Sequence, residues 1–227
     1  MEIIPVIDLL NQQVVHARRG ERQHYRPIQS RLTPACEPMA IVDAMLGLYP
    51  FNTLYIADLD AIQKRGRHDV VISQLRQRYP QLNLWVDAGL GGASDLAAWK
   101  GFQLDMVVGS ESLSSMADYQ ALKTDLAGRM ALSLDFDADG FRGPKQLLDK
   151  PDLWPSKVVV MTLARVGSAE GPDLERLQQI IDRQHDGSIY AAGGVRDRTD
   201  LARLESLGIQ GALVASAIHE GGLLESQ

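Results

Sequence analysis

A (β/α)8 barrel is the fold class this sequence predicts, and three observations predict it. Eight apolar runs of strand length recur along 227 residues, separated by helical patterns. Most of these runs are nearly continuous in Val, Ile, Leu, Met and Ala, as parallel strands covered on both faces require. The chain also matches itself: residues 86–97 (VDAGLGGASDLA) lie over residues 191–202 (AAGGVRDRTDLA), with Gly89 on Gly194 at an offset of 105. Self-similarity of βα units predicts two half-barrels, roughly 1–127 and 128–227, inside one domain spanning 1–227. A doubly wound open sheet is the competing arrangement.

The strands are predicted at residues 3–7, 53–57, 82–86, 105–108, 130–134, 157–161, 188–191 and 211–214. Helical periodicity fills, among others, 39–48, 70–78, 93–100, 174–183 and 199–207. One unit departs from the pattern. The passage from Asp135 to Thr162 is little more than half as long as that from Asp8 to Ala57, and Pro144, Pro151 and Pro155 interrupt it. Proline cannot continue a helix interior, so the fifth βα unit is expected to be shortened. The passage 10–38 is long, polar and contains Arg18-Arg19-Gly20-Glu21-Arg22, which reads as a mobile active-site loop.

Composition narrows the function classes. Hydrophobic residues make up 45% of the chain, enough for one substantial core, and the net charge of −6 argues against a nucleic-acid partner. A single cysteine, Cys36, rules out an internal disulfide framework. The chain shows no basic-then-apolar leader and no bilayer-length apolar run, so no membrane partner is expected and the default location is the cytoplasm. The five histidines (His16, His24, His68, His185, His219) form no metal-ligand spacing, and no metal is implied. The oligomeric state is left open.

Asp8 ends the first strand and Asp135 the fifth. In an eight-stranded barrel these strands stand on opposite sides of the mouth, where active sites of this fold lie. Two carboxylates across one pocket can divide proton transfer between an acid and a base. The plainer reading, that a strand-end Asp caps a loop, loses ground because the two positions are equivalent in the two halves. Asp58 and Asp60, after strand two, read as structural loop carboxylates. Gly193-Gly194 after strand seven and Ala215-Ser216 after strand eight are small residues whose backbone N–H groups can reach a phosphate, and Gly167 can close the same cradle. The related half offers Gly89 and Gly109-Ser110 as a second cradle, with Asp87 placing a negative charge beside it. Both alternatives, a working second site and a disabled one, stay open at this point.

These motifs, in this order, resemble the histidine-biosynthesis isomerase/cyclase family: Ile4-Pro5-Val6-Ile7-Asp8-Leu9, Asp58-Leu59-Asp60-Ala61, Val108-Gly109-Ser110, Ser133-Leu134-Asp135, Gly193-Gly194-Val195 and Leu213-Val214-Ala215-Ser216-Ala217. The resemblance covers essentially the whole chain. It implies a duplicated half-barrel, a small phosphorylated substrate with a phosphate at each end, no cofactor, and Asp8 and Asp135 as the catalytic pair, with Thr162 beside them. For an isomerase of this kind Asp135 would protonate the ribose ring oxygen and Asp8 would remove the C2 proton, completing an Amadori rearrangement. Departures stand beside the match. Asp87-Ala88-Gly89-Leu90-Gly91 replaces the family's Gly-Gly-Gly-(Ile/Val)-Arg, no tryptophan stands near Phe141-Arg142-Gly143-Pro144, and Leu163 and Val166 take the places of loop aspartates. A divergent relative acting on another phosphorylated metabolite, for example in cofactor biosynthesis, and a catalytically silent phosphometabolite-binding barrel are the alternatives.

Overall fold

A computed structural model describes residues 1–183 and 186–223. The barrel strands are β1 (Glu2–Leu10), β2 (Thr53–Asp58), β3 (Asn83–Asp87), β4 (Asp105–Gly109), β5 (Met130–Asp137), β6 (Lys157–Thr162), β7 (Ser188–Ala192) and β8 (Gly211–Val214). They pair parallel in chain order, and β8 returns to β1 with Gly211 opposite Glu2 and Val214 opposite Pro5. The sheet therefore closes and keeps no barrel edge, as the predicted fold class requires. Seven of the eight predicted strands fall inside these elements, and the third, predicted at 82–86, is found one residue later.

Alternation along each strand sorts the core into two layers. Ile4, Tyr55, Trp85, Val107, Ala131, Val159, Tyr190 and Leu213, one from each strand, meet inside the barrel. Trp85 and Tyr190 are partners at the same offset of 105, and their rings meet edge to face at 5.0 Å. Such a contact adds about 1 kcal/mol beyond the area it buries. It also shows that β3 faces β7 across the axis. The opposite strand faces join the larger cluster under the helices, with residues such as Ile56, Val86, Leu132 and Val160.

Besides a single turn at Leu59–Ile62, the helices are α1 (Pro38–Leu48), α2 (Asp69–Arg78), α3 (Ala93–Leu96), α4 (Met116–Leu126), α5 (Lys145–Asp149), α6 (Leu174–Ile181), α7 (Arg198–Ser206) and α8 (Ser216–His219). Local chemistry sets several of their ends. Pro38 opens α1, the Ser115 hydroxyl accepts the Asp118 N–H at 3.2 Å to start α4, and Asp197 accepts the N–H groups of Thr199 and Asp200 to start α7. Ala127, left-handed at φ +42°, ends α4. The fifth unit is shortened as expected: a strand at Gly140–Arg142 folds back on β5, and α5 has five residues. No helix among the described residues is long and apolar enough to cross a membrane.

The passage read as a mobile loop contains regular structure. Strands Gln13–His16 and Arg26–Pro27 form a ribbon continuing from β1, and residues between them lie across the barrel mouth. Its tight turn, at Asn11 (φ +49°) and Gln12 (φ +65°), is anchored to the loop after β2. Asp60 accepts the Asn11 N–H at 2.9 Å, and His68 Nε2 accepts the Gln12 N–H at 3.0 Å. The ring proton therefore sits on Nδ1, 2.7 Å from fully buried Asp58. Asp58 also accepts the backbone N–H groups of His68 and Ala61. Both acids are thus occupied by loop structure, as the sequence suggested. His68→Ala removes one of three donors to a buried carboxylate and frees the turn, so it is expected to cost about 2 kcal/mol in denaturant unfolding.

Candidate active site

Extending each inward-facing row by one or two steps toward the carboxyl ends brings Asp8, Asp87, Asp135 and Ala192 to the mouth. There they line one cavity of about 300 Å³. Asp8 and Asp135 share it, on opposite strands of the barrel.

Their surroundings differ. Asp135 is buried; its Oδ1 accepts the Ser133 hydroxyl at 2.6 Å and its Oδ2 the Glu111 N–H at 3.0 Å. Burial pushes its pKa up to about 7 against these hydrogen bonds, and the charges of Glu111 and Asp87 push the same way as burial. Asp8 accepts no hydrogen bond from the described residues. Burial raises it to about 7 as well, the Arg22 guanidinium pulls it back, and Asp87 adds to the rise. Two acids that titrate near neutrality in one cavity are suited to move protons in both directions.

Asp87 completes an acidic side of the cavity. Its Oδ1 accepts the Gly89 N–H at 3.0 Å and its Oδ2 the Tyr55 hydroxyl at 3.2 Å. Burial raises its pKa to about 6, with Gly89, Tyr55 and Arg22 opposing and Glu111 reinforcing. Tyr55, buried among the three aspartates, is held well above the usual phenol range and stays a neutral donor. Arg22, from the ribbon, is the cation on this side, and it pairs with Glu111. Arg22→Gln removes the charge that lowers both Asp8 and Asp87. The Asp8 carboxyl is then expected to titrate about one pH unit higher, read by NMR of carbon-13-labelled aspartates.

The opposite side carries a run of small residues, with Arg196 and Glu220 also lining the cavity. Gly167, Gly193, Gly194, Ala215 and Ser216 all line the same cavity. At Gly193 (φ +103°) a β-carbon would stand 2.6 Å from the Thr162 carbonyl oxygen, and at Gly194 (φ +87°) it would run into the Gly171 carbonyl. Only glycine fits either position. The Ser216 hydroxyl lies 3.2 Å from His16 Nε2. Arg18, whose α-carbon stands beside Gly167, has no acid partner among the described residues.

Four other candidates lie off the cavity wall. Thr162 is buried and alternates to the outer strand face, while its neighbours Met161 and Leu163 line the cavity. Ser110 is fully buried; its hydroxyl sits 2.6 Å from the Arg142 carbonyl and 3.3 Å from Asp135 Oδ2, and it accepts the Asp135 N–H at 2.9 Å. It lies behind the wall and supports Asp135. Gly109 gives that carboxylate room, since a β-carbon there would stand 3.1 Å from Asp135 Oδ2. Gly89 opens into a separate cleft, together with Lys64, Gly91 and Ser112. The structure thus gathers Asp8, Asp135, Gly167, Gly193, Gly194, Ala215 and Ser216, and leaves Thr162, Gly89, Gly109 and Ser110 outside.

Sequence reasoning passed over Tyr55, Glu111 and Tyr25. Tyr55 could have been found by parity with Ala57 on β2, and Glu111 by its place just after the fourth strand. Tyr25 reaches the cavity from the ribbon, which no local pattern announces. No three His, Cys, Asp or Glu side chains among the described residues are grouped to hold a metal ion, and His185 lies outside them.

Closed strand order and an acid-lined mouth define a (β/α)8-barrel protein with a cavity at the carboxyl-terminal face. The chain belongs to the histidine biosynthesis protein family, whose profile matches residues 2–223. It is 29% identical to an uncharacterized protein of Methanocaldococcus jannaschii, over 98% of this chain and 95% of that one. It is 27% identical to an imidazole-4-carboxamide isomerase of Renibacterium salmoninarum, over 97% and 92%, and 26% identical to the same enzyme of Lacticaseibacillus casei, over 98% and 96%. The name of that isomerase specifies two phosphoribosyl groups.

Proposed function

We propose that this protein is a cofactor-independent aldose–ketose isomerase acting on a phosphorylated, sugar-like substrate, with Asp8 and Asp135 as its acid–base pair. The observation that carries the reading is the shared cavity. Two carboxyl groups with pKa values near 7 face it from opposite strands, and Gly167, Gly193, Gly194, Ala215 and Ser216 line the same cavity. Family membership and the isomerase relatives support the reaction class.

An Amadori-type rearrangement needs one group to protonate the ring oxygen as the ring opens and another to take the C2 proton. After that, C1 gains a proton and the C2 hydroxyl loses its own as the ketone forms. Burial raises both carboxyls to about 7, against the Arg22 charge at Asp8 and against the Ser133 and Glu111 donors at Asp135, so each can hold or release a proton near neutrality. The division implied by the family resemblance is kept: Asp135 protonates the ring oxygen and Asp8 takes the C2 proton. With both carboxyls near pH 7, kcat/KM is expected to peak near pH 7 and fall on both sides. The phosphate is assigned to Gly167, Gly193, Gly194, Ala215 and Ser216.

The test is proton exchange at carbon 2 of phosphorylated aldoses, phosphoribosylamines and the relatives' ribotide in heavy water, followed by proton NMR. Exchange that needs both aspartates is the expected result. Binding without any exchange, across all these compounds, would favour a catalytically silent barrel. A second reading, a different phosphorylated metabolite from that of the isomerase relatives, is favoured by Asp87 and Glu111 on the acidic side.

A further inference from the structure

The two half-barrels present the same backbone turn in two chemical states. Gly89 and Gly194 are partners in the repeat, both left-handed (φ +62° and +87°), each following a strand on opposite sides of the axis. In the second half the residue two places earlier is Ala192, and the Gly194 N–H meets no acceptor among the described residues. In the first half it is Asp87, whose own carboxylate accepts the Gly89 N–H at 3.0 Å. An internal anion occupies the place that an anionic ligand would take.

The neighbouring donors of the first half are also committed. Lys64 Nζ donates to the Gly89 carbonyl at 2.7 Å and pairs with Asp95 at 3.0 Å, Asp95 accepts the Gly91 N–H, and Arg22 pairs with Glu111. Of the groups lining that cleft, the Ser112 hydroxyl alone donates to no described partner. A phosphate arriving there would have to displace the chain's own carboxylates and meet their charge.

We propose that Asp87 is a specificity-determining residue that fills the first half-barrel's anion recess, so that the substrate carries one phosphate, seated by Gly194 and Ser216, and offers N–H or O–H donors to Asp87 at its other end. The inference rests on the reading of the glycine side as a phosphate seat. A carboxylate has about four lone-pair positions, and Asp87 uses one for Gly89 and one for Tyr55, leaving capacity for a ligand.

Calorimetric titration of the intact protein with inorganic phosphate, ribose 5-phosphate and ribulose 1,5-bisphosphate tests this. Wild type is expected to bind ribose 5-phosphate at least as tightly as the bisphosphate. Asp87→Ala is expected to shift that preference tenfold or more toward the bisphosphate, with Asp87→Asn, which keeps an acceptor for Gly89, giving a smaller shift. Thermal melts of each variant confirm folding. A wild-type preference of tenfold or more for the bisphosphate, or an unchanged ratio in folded Asp87→Ala, overturns the inference and leaves the phosphate seat standing. Failure of both inorganic phosphate and ribose 5-phosphate to bind wild type removes the seat itself, and this inference with it.

Discussion

Asp8→Asn will lower kcat by about a thousandfold and, above neutral pH, make the folded protein more stable than wild type. The first effect is what loss of one general acid–base group typically costs. The second follows from where the proton sits. An unfolded chain holds Asp near pH 3.9, whereas the folded protein holds Asp8 near 7. Between these values the native state binds the proton and the unfolded state does not. The stability this provides is complete below about pH 4 and is lost as pH rises through 7. Asn carries no such dependence. Allowing for screening by cavity water, the gain of the variant over wild type between pH 5 and pH 8 is on the order of 2–3 kcal/mol. Urea unfolding at the two pH values measures it. Equal stability of variant and wild type at both would mean that Asp8 is not a high-pKa acid.

Ser216→Asp will weaken binding of any phosphorylated ligand by a hundredfold or more. It recreates on the second half-barrel what Asp87 does on the first, placing a carboxylate in the glycine recess. Like charges about 4 Å apart repel by about 4 kcal/mol at the effective dielectric of a protein surface. The fold should tolerate the change, because Ser216 opens α8 and Asp is favoured in the first turn of a helix. Titration with inorganic phosphate and ribose 5-phosphate reads the loss, and unchanged affinity in a folded variant would locate the phosphate elsewhere.

Much of this was legible in the residues. Near-continuous apolar runs named all eight strands, because parallel strands buried on both faces leave little room for polar side chains. The offset that paired Gly89 with Gly194 also paired Trp85 with Tyr190, which meet at the axis. Asp8 and Asp135 were legible because strand ends of a barrel converge on its mouth. Thr162 was harder: its place on β6 is right for the mouth, but the alternation that carries Met161 inward carries Thr162 outward. Ser110 and Gly109 resembled an anion cradle in sequence, yet their atoms serve Asp135, a contact between separate strands that local pattern does not encode. Arg22 and Tyr25 reach the cavity only because the ribbon after β1 folds over it.

The aromatic pair at the axis has a consequence for traffic. Below the cavity the bore is plugged by Trp85, Tyr190 and their apolar neighbours, so the chamber is blind-ended. Arrival and departure share one doorway, and the ribbon lies across it, tied by Arg22 to Glu111 and by Arg19 to Glu170. A ligand therefore enters and leaves on the same side of the barrel, past the ribbon.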